Sequence, residues 1–224
     1  MAGWSLAVVV VWCGCGLTGV HAEAKGSLEV RVRLRVDRSI RAERVAMQLK
    51  GEAEAIWQAY GIQLEWTDGD TPEPSPGGVA LDVIVQRWAG VGLIDRPPIL
   101  GRTVVASDTR SWRPIRVSFD AVEKMLMDRT LSRVSGAAMV REPELGRALG
   151  RVLAHEIGHV LLNTADHDHT GLMRATFSAD QLAQPDRTPF QLPCPAIDRL
   201  NDRLRALSGE TAEREEDRGW RSRR

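Results

Sequence analysis

The chain is 224 residues long, room for one main domain at roughly 100–200 residues per domain. Hydrophobic residues form 43% of it and charged residues 27%, the balance of a soluble globular protein. Its 30 basic residues offset 30 acidic ones, so no net field favours nucleic acid or an anionic membrane as a partner.

An apolar stretch over residues 6–20 leads into Val20-His21-Ala22, the small-x-small shape of a signal-peptidase site. Residues 1–22 are therefore expected to be a signal peptide, with the mature chain starting at Glu23 and destined for secretion or the periplasm. The alternative is an uncleaved anchor, but about 17 apolar residues is the lower limit for spanning a bilayer. Cleavage leaves Cys194 as the only cysteine, which rules out an intrachain disulfide. A buried or idle thiol is the expected role of Cys194, with zinc ligation as the alternative.

Residues 28–36 alternate apolar and charged, Leu28-Glu29-Val30-Arg31-Val32-Arg33-Leu34-Arg35-Val36, which predicts a strand with one dry and one wet face. The arginine row reads as a solvated strand face. Over residues 40–60 the period becomes helical, with Val45, Leu49, Ala53, Ile56 and Trp57 on one stripe and Gly61 as C-cap. Alternation returns over 62–66 as a second strand. A Pro/Gly/Asp/Ser-rich stretch through Gly78 reads as a surface loop, and the apolar residues 79–85 read as an interior strand. After a second irregular stretch over 90–98, residues 101–106 predict an edge strand, because prolines and a glycine flank it. Residues 115–119 predict one more strand, followed by a short helix capped by Asp120 and ending near Met127.

Residues 144–162 carry the strongest helical pattern. Leu145, Ala148, Leu149, Val152, Leu153, Ile157 and Val160 form its apolar face, and Pro143 stands where helices begin. Residues 208–224 are almost wholly polar and are expected to be a disordered tail, leaving 23–207 as the folded domain. The element order suits a single α/β or α+β domain.

Within the strongest helix lies His155-Glu156-Ile157-Gly158-His159, and His167 and His169 follow at once. Four of the five histidines of the chain are thus gathered in one short run. Residues four apart sit one turn above each other, so His155 and His159 can aim two imidazoles at one metal ion. Glu156, offset around the helix, is placed to act on a metal-activated water instead of binding the metal. The bland reading, two satisfied core histidines, does not account for the intervening glutamate or for the further histidines beyond the helix.

This pattern, followed by the turn Gly171-Leu172-Met173, resembles the metzincin clan of zinc peptidases, whose signature is H-E-x-x-H-x-x-G-x-x-H with a methionine turn. The resemblance implies a twisted mixed sheet of about five strands, a backing helix, a zinc-binding helix, a Met-turn and a C-terminal helix. It also implies His155 and His159 as zinc ligands, Glu156 as general base and Met173 as the residue beneath the metal. Two positions depart from the pattern: Leu162 stands at the glycine and Ala165 at the third histidine. Asn163 tolerates the left-handed conformation that stops a helix, so the chain can turn back one residue later and present His167 as third ligand. Asp166 and His169 are its rivals, both legitimate ligand types.

The implied activity is that of a zinc-dependent endopeptidase with one catalytic ion, acting as a monomer on a peptide or protein, with no nucleic-acid or membrane partner. Two other readings stay open: a zinc-containing module that captures peptides without cleaving them, and a hydrolase of a non-peptide amide. Peptidases of this clan hold an extended substrate against an edge strand, and residues 101–106 are the candidate for it. Trp57, Trp66, Trp88 and Trp112 read as packing residues, with Trp88 or Trp112 as possible cleft linings.

Overall fold

A computed structural model of the chain describes residues 28–40, 43–67, 79–88, 98–105, 113–131 and 140–221. The expected signal segment, both irregular stretches except at their ends, and Trp112 lie outside the described residues. Strand β1 (Leu28–Val36), helix α1 (Glu43–Gln58) and strand β2 (Ile62–Thr67) come first, then β3 (Val79–Gln86), β4 (Gly101–Thr103) and β5 (Arg113–Ser118). Helices α2 (Phe119–Leu131), α3 (Glu142–Leu161) and α4 (Ala179–Ala183) follow, then a 3₁₀ turn (Thr188–Phe190) and α5 (Cys194–Arg221).

The five strands form one mixed sheet in the order β2-β1-β3-β5-β4, an α/β arrangement. All pairings are parallel except β4 with β5, which is antiparallel and lies at the edge. The period of two in β1 has the expected consequence: Val30 and Val32 are fully buried and pair laterally with Val79 and Leu81 on the same face. β3 occupies the centre, which is why its sequence is a continuous apolar run. The apolar stripes of α1 and α3 join this face in a single core, with Leu49, Ala53, Trp57, Leu149, Leu153 and Ile157 all nearly or fully buried.

Three local expectations require correction. The arginine row of β1 is not simply solvated. Arg31 pairs with Glu29 and Glu65, while Arg33 and Arg35 converge on the buried Asp82 at 2.9 and 2.5 Å. Burial alone would raise the Asp82 carboxyl, but the two arginine hydrogen bonds outweigh it and hold it below its ordinary value. Strand β4 stops at Thr103 instead of 106. Extending the register beyond Thr103↔Ile115 would set Val104 against Pro114, which has no N–H to continue the ladder. Helix α2 is capped by Ser118, whose Oγ accepts from the backbone N–H of Ala121 at 3.2 Å; Asp120 sits in the first turn and pairs with Arg87 instead. Helix α5 runs to Arg221. Residues 208–221 are rich in Glu and Arg, both good helix formers. Among the described residues no helix is long and apolar enough to cross a membrane.

Two glycines let α3 lie directly on α1. A Cβ at Gly146 would stand 2.5 Å from Gln48 Cβ, and one at Gly150 would stand 2.7 Å from the Leu49 carbonyl oxygen. Replacing Gly150 by Ala should therefore lower the unfolding free energy by about 1–3 kcal/mol through overpacking, despite alanine's better helix propensity. Gly51, exposed on α1 with nothing near its missing Cβ, is the control: its alanine variant should gain up to about 1 kcal/mol. Denaturant melts of the two variants compare these signs directly.

Candidate metal centre and catalytic cleft

Helix α3 carries two turns of function on a buried frame. His155, Glu156 and His159 are all less than 9% exposed, unusual for such polar side chains. Each histidine is tied down by its inner nitrogen. His155 Nδ1–H donates to the Leu172 carbonyl at 2.7 Å and His159 Nδ1–H to the Thr164 carbonyl at 2.8 Å. A carbonyl can only accept, so the proton of each ring sits on Nδ1 and both Nε2 atoms carry lone pairs. Those two Nε2 atoms face each other at 3.1 Å.

The third imidazole arrives through the end of the helix. Leu162 is the C-cap, and Asn163 takes φ 50°, the left-handed value that the departure from the family pattern requires. Asn163 N–H bonds to the Val160 carbonyl at 3.2 Å and Thr164 N–H to His159 at 3.1 Å, the paired bonds of a Schellman closure. The reversed chain then brings His167 beside the other two, its ring centroid 5.3 Å from that of His155 and 4.9 Å from that of His159. One donor nitrogen from each of His155, His159 and His167 lies within 4.8 Å of the others. Neither Asp166 nor His169 joins this group, and Cys194 is exposed at the start of α5.

The donor set fits a zinc ion. Two unprotonated ring nitrogens repel at 3.1 Å unless a cation lies between them. Tetrahedral zinc with Zn–N of about 2.0–2.1 Å sets ligand nitrogens about 3.3 Å apart, close to the spacing present. Burial is the first cause of the low His155 pKa, near 4, helped by the neighbouring imidazoles and resisted by the Leu172 carbonyl; His159 is lowered for the same main reason. Both rings are thus neutral and ready to ligate at neutral pH. Glu156 responds to burial in the opposite direction, its carboxyl pushed up to about 7.

Below the histidines the chain makes the expected tight turn. Gly171 has φ 74° and packs onto the Gln191 carbonyl, while Leu172 N–H donates to the same oxygen at 3.0 Å. Met173 is buried, and its sulfur presses on Gly158, where any side chain would collide with it. Asp168 N–H reaches the Met173 carbonyl at 2.8 Å, and Arg199 of α5 clasps the Asp168 carboxylate at 3.0 and 3.1 Å. The ligand loop, the methionine turn and the C-terminal helix are therefore mutually braced.

A cavity of about 290 Å³ opens beside the three imidazoles. His155, Glu156 and His167 line one side, while Ile99, Leu100, Met125, Val152 and Phe177 make the rest largely apolar. Sequence reasoning passed over Met125, on α2 well before the motif, and Phe177, in the loop just after the methionine turn. Trp88 is half-buried beneath Arg102, and Trp57 is a core residue whose indole N–H donates to the Ala154 carbonyl at 3.2 Å. Gly101 was read only as the start of a strand, yet a Cβ there would stand 2.6 Å from Glu156 Oε1. A glycine within a strand signals such a close approach, so the information was present.

No protein-family model matches the chain, and no curated protein matches it in sequence. Among solved structures, archaemetzincin from Methanopyrus kandleri resembles it with 14% identity and a TM-score of 0.48, over 81% of this chain and 98% of that one. Metalloproteinase-II from Bacteroides fragilis resembles it with 12% identity and a TM-score of 0.45, over 81% of this chain and 55% of that one.

Proposed function

We propose that the chain is a zinc-dependent endopeptidase in which His155, His159 and His167 hold a single metal ion and Glu156 is the acid–base group. The observation that carries this reading is the convergence of three imidazoles, two with fixed tautomers, around a point beside a buried glutamate that does not join them. Zinc held there supplies Lewis-acid activation of a water molecule and of the scissile carbonyl. Glu156 takes a proton from the attacking water and delivers it to the leaving nitrogen. Burial raises the carboxyl of Glu156, which favours its taking up the proton that it later passes on. A binding module without catalysis would have no use for such a group, which is why the enzymatic reading is preferred.

The edge strand supports a peptide over another amide. Ser118 N–H bonds to the Leu100 carbonyl at 2.9 Å, and alternation along an antiparallel pair then turns Arg102 inward to β5 as well. Gly101 and Thr103 consequently aim their N–H and C=O groups at the open edge, directly alongside Glu156. An extended peptide can add there as a further strand, with its carbonyl brought to the acid–base group.

Glu156→Gln should reduce kcat by about 100-fold or more while one zinc per chain remains by metal analysis. His167→Ala should instead weaken zinc binding by more than about 100-fold, since loss of an outer partner alone costs 10–100-fold. Thr103→Pro, which removes one outward N–H, should raise KM for peptides about tenfold with zinc content unchanged. A KM that stays put would sink the strand-addition idea.

The metal-free protein offers a pH test. The Glu156 carboxyl, raised to about 7, contributes stability that is present below pH 4.5 and lost as pH rises through 7. His155, lowered to about 4, acts oppositely, adding stability as pH rises from 4 through 6.5. Subtracting Glu156→Gln from wild type cancels the histidines. The difference should move against wild type by roughly 3 kcal/mol between about pH 4 and pH 8 in denaturant melts, and a flat difference would contradict the burial of a titrating Glu156.

A further inference from the structure

We infer that Arg151, acting with Glu52, is a positioning residue that holds the aromatic wall of the cleft against His155; this deepens the peptidase reading and rests on it. Arg151 is fully buried in α3, one helical turn before His155. Its Nε donates to Glu52 Oε1 at 2.8 Å, and its terminal nitrogens reach the backbone carbonyls of Gln181, Leu182, Pro185 and Asp186. The second Glu52 oxygen takes Arg187 at 2.8 Å, so one buried carboxylate joins α1, α3 and the segment after α4. The guanidinium lies over the Phe190 ring at 4.3 Å. Phe190 stacks on Phe177 at 5.0 Å, and Phe177 meets His155 edge to face at 5.8 Å.

Stability does not account for an arginine here. A buried ion pair is commonly no better for stability than apolar residues of similar volume. What a planar guanidinium does, and an apolar side chain or an ammonium does not, is gather several carbonyls in fixed directions while presenting a flat face to a ring. The same helix therefore carries both a metal-site imidazole and the anchor of the wall that touches it. Cavity width and the set of His155 are fixed together by Arg151 through Phe190 and Phe177.

The test uses the full mature chain loaded with cobalt(II), whose visible spectrum reports ligand geometry, together with peptides that differ only in one residue beside the scissile bond (Ala, Leu or Phe). Arg151→Lys and Phe190→Leu should each bind one cobalt but shift the visible bands, and should flatten the spread of kcat/KM across the peptide series at least fivefold. Phe190→Leu leaves the Arg151–Glu52 pair in place, so it reports even where Arg151→Lys fails to fold. Folded variants with lowered Tm but the wild-type spectrum and wild-type selectivity would show a merely structural role and overturn the proposal. A wild type that binds cobalt yet cuts no peptide removes the peptidase reading alone, and the spectra then decide the positioning role. A wild type that binds no cobalt overturns both.

Discussion

The arrangement depends on two short hydrogen bonds from imidazole N–H groups to backbone carbonyls. They settle which nitrogen of His155 and of His159 carries the proton, and so which lone pairs face the common point. They also tie the helix to the two loops that follow it, because the acceptors belong to Thr164 and Leu172. Thr164 can accept only because the chain reverses at Asn163, and Leu172 only because Gly171 turns it against Gln191. The outer partners of the ligands are therefore the same backbone segments that shape the cleft. Orientation of ligands by such partners is general in metal sites, and here it is built from main chain alone.

Rigidity behind the site comes from close helix packing and one buried charge cluster. Gly146 and Gly150 bring α3 against α1, and Trp57 of α1 donates across to the Ala154 carbonyl, one residue before His155. Helix α3 is thus fixed along its length before any ligand is considered. Glu52, itself 5% exposed, pairs with both Arg151 and Arg187, and the cost of burying the Arg151 charge is offset by this pairing and by its hydrogen bonds to backbone carbonyls.

The legible parts of the chain were those governed by periodicity and by local conformational chemistry. The alternation in β1, the apolar run of β3 and the stripes of α1 and α3 each imply one burial pattern, and the fold follows them. Asn163 could be read because few residues besides glycine accept a left-handed φ. His167 was legible only as one of three neighbours, since spacing in a non-helical loop does not determine which side chain points inward. The errors were all tertiary. Whether Arg31, Arg33 and Arg35 face water depends on Asp82 and Glu65 in strands paired alongside. The length of β4 depends on Pro114 of its partner, and the cap of α2 on where β5 ends. Arg151 drew no attention because a lone charged residue on an apolar helix face has no meaning until Glu52, 99 positions away, is placed beside it.

Burial gives the site its chemical character as well as its shape. The same desolvation that keeps His155 and His159 uncharged raises the Glu156 carboxyl. Three imidazole nitrogens suit zinc, whereas magnesium and calcium prefer carboxylate and carbonyl oxygen. His155, His159 and His167 would hold a dication with no carboxylate among the donors to diminish its Lewis acidity. Glu156 is held off the histidine group by its place on the helix and is packed against the bare backbone of Gly101. A Cβ at position 101 would stand 2.6 Å from Glu156 Oε1, so the strand can lie this close to the carboxyl only with a glycine there. The glycine thus links sheet and helix at the site: it lets the edge strand lie directly against Glu156.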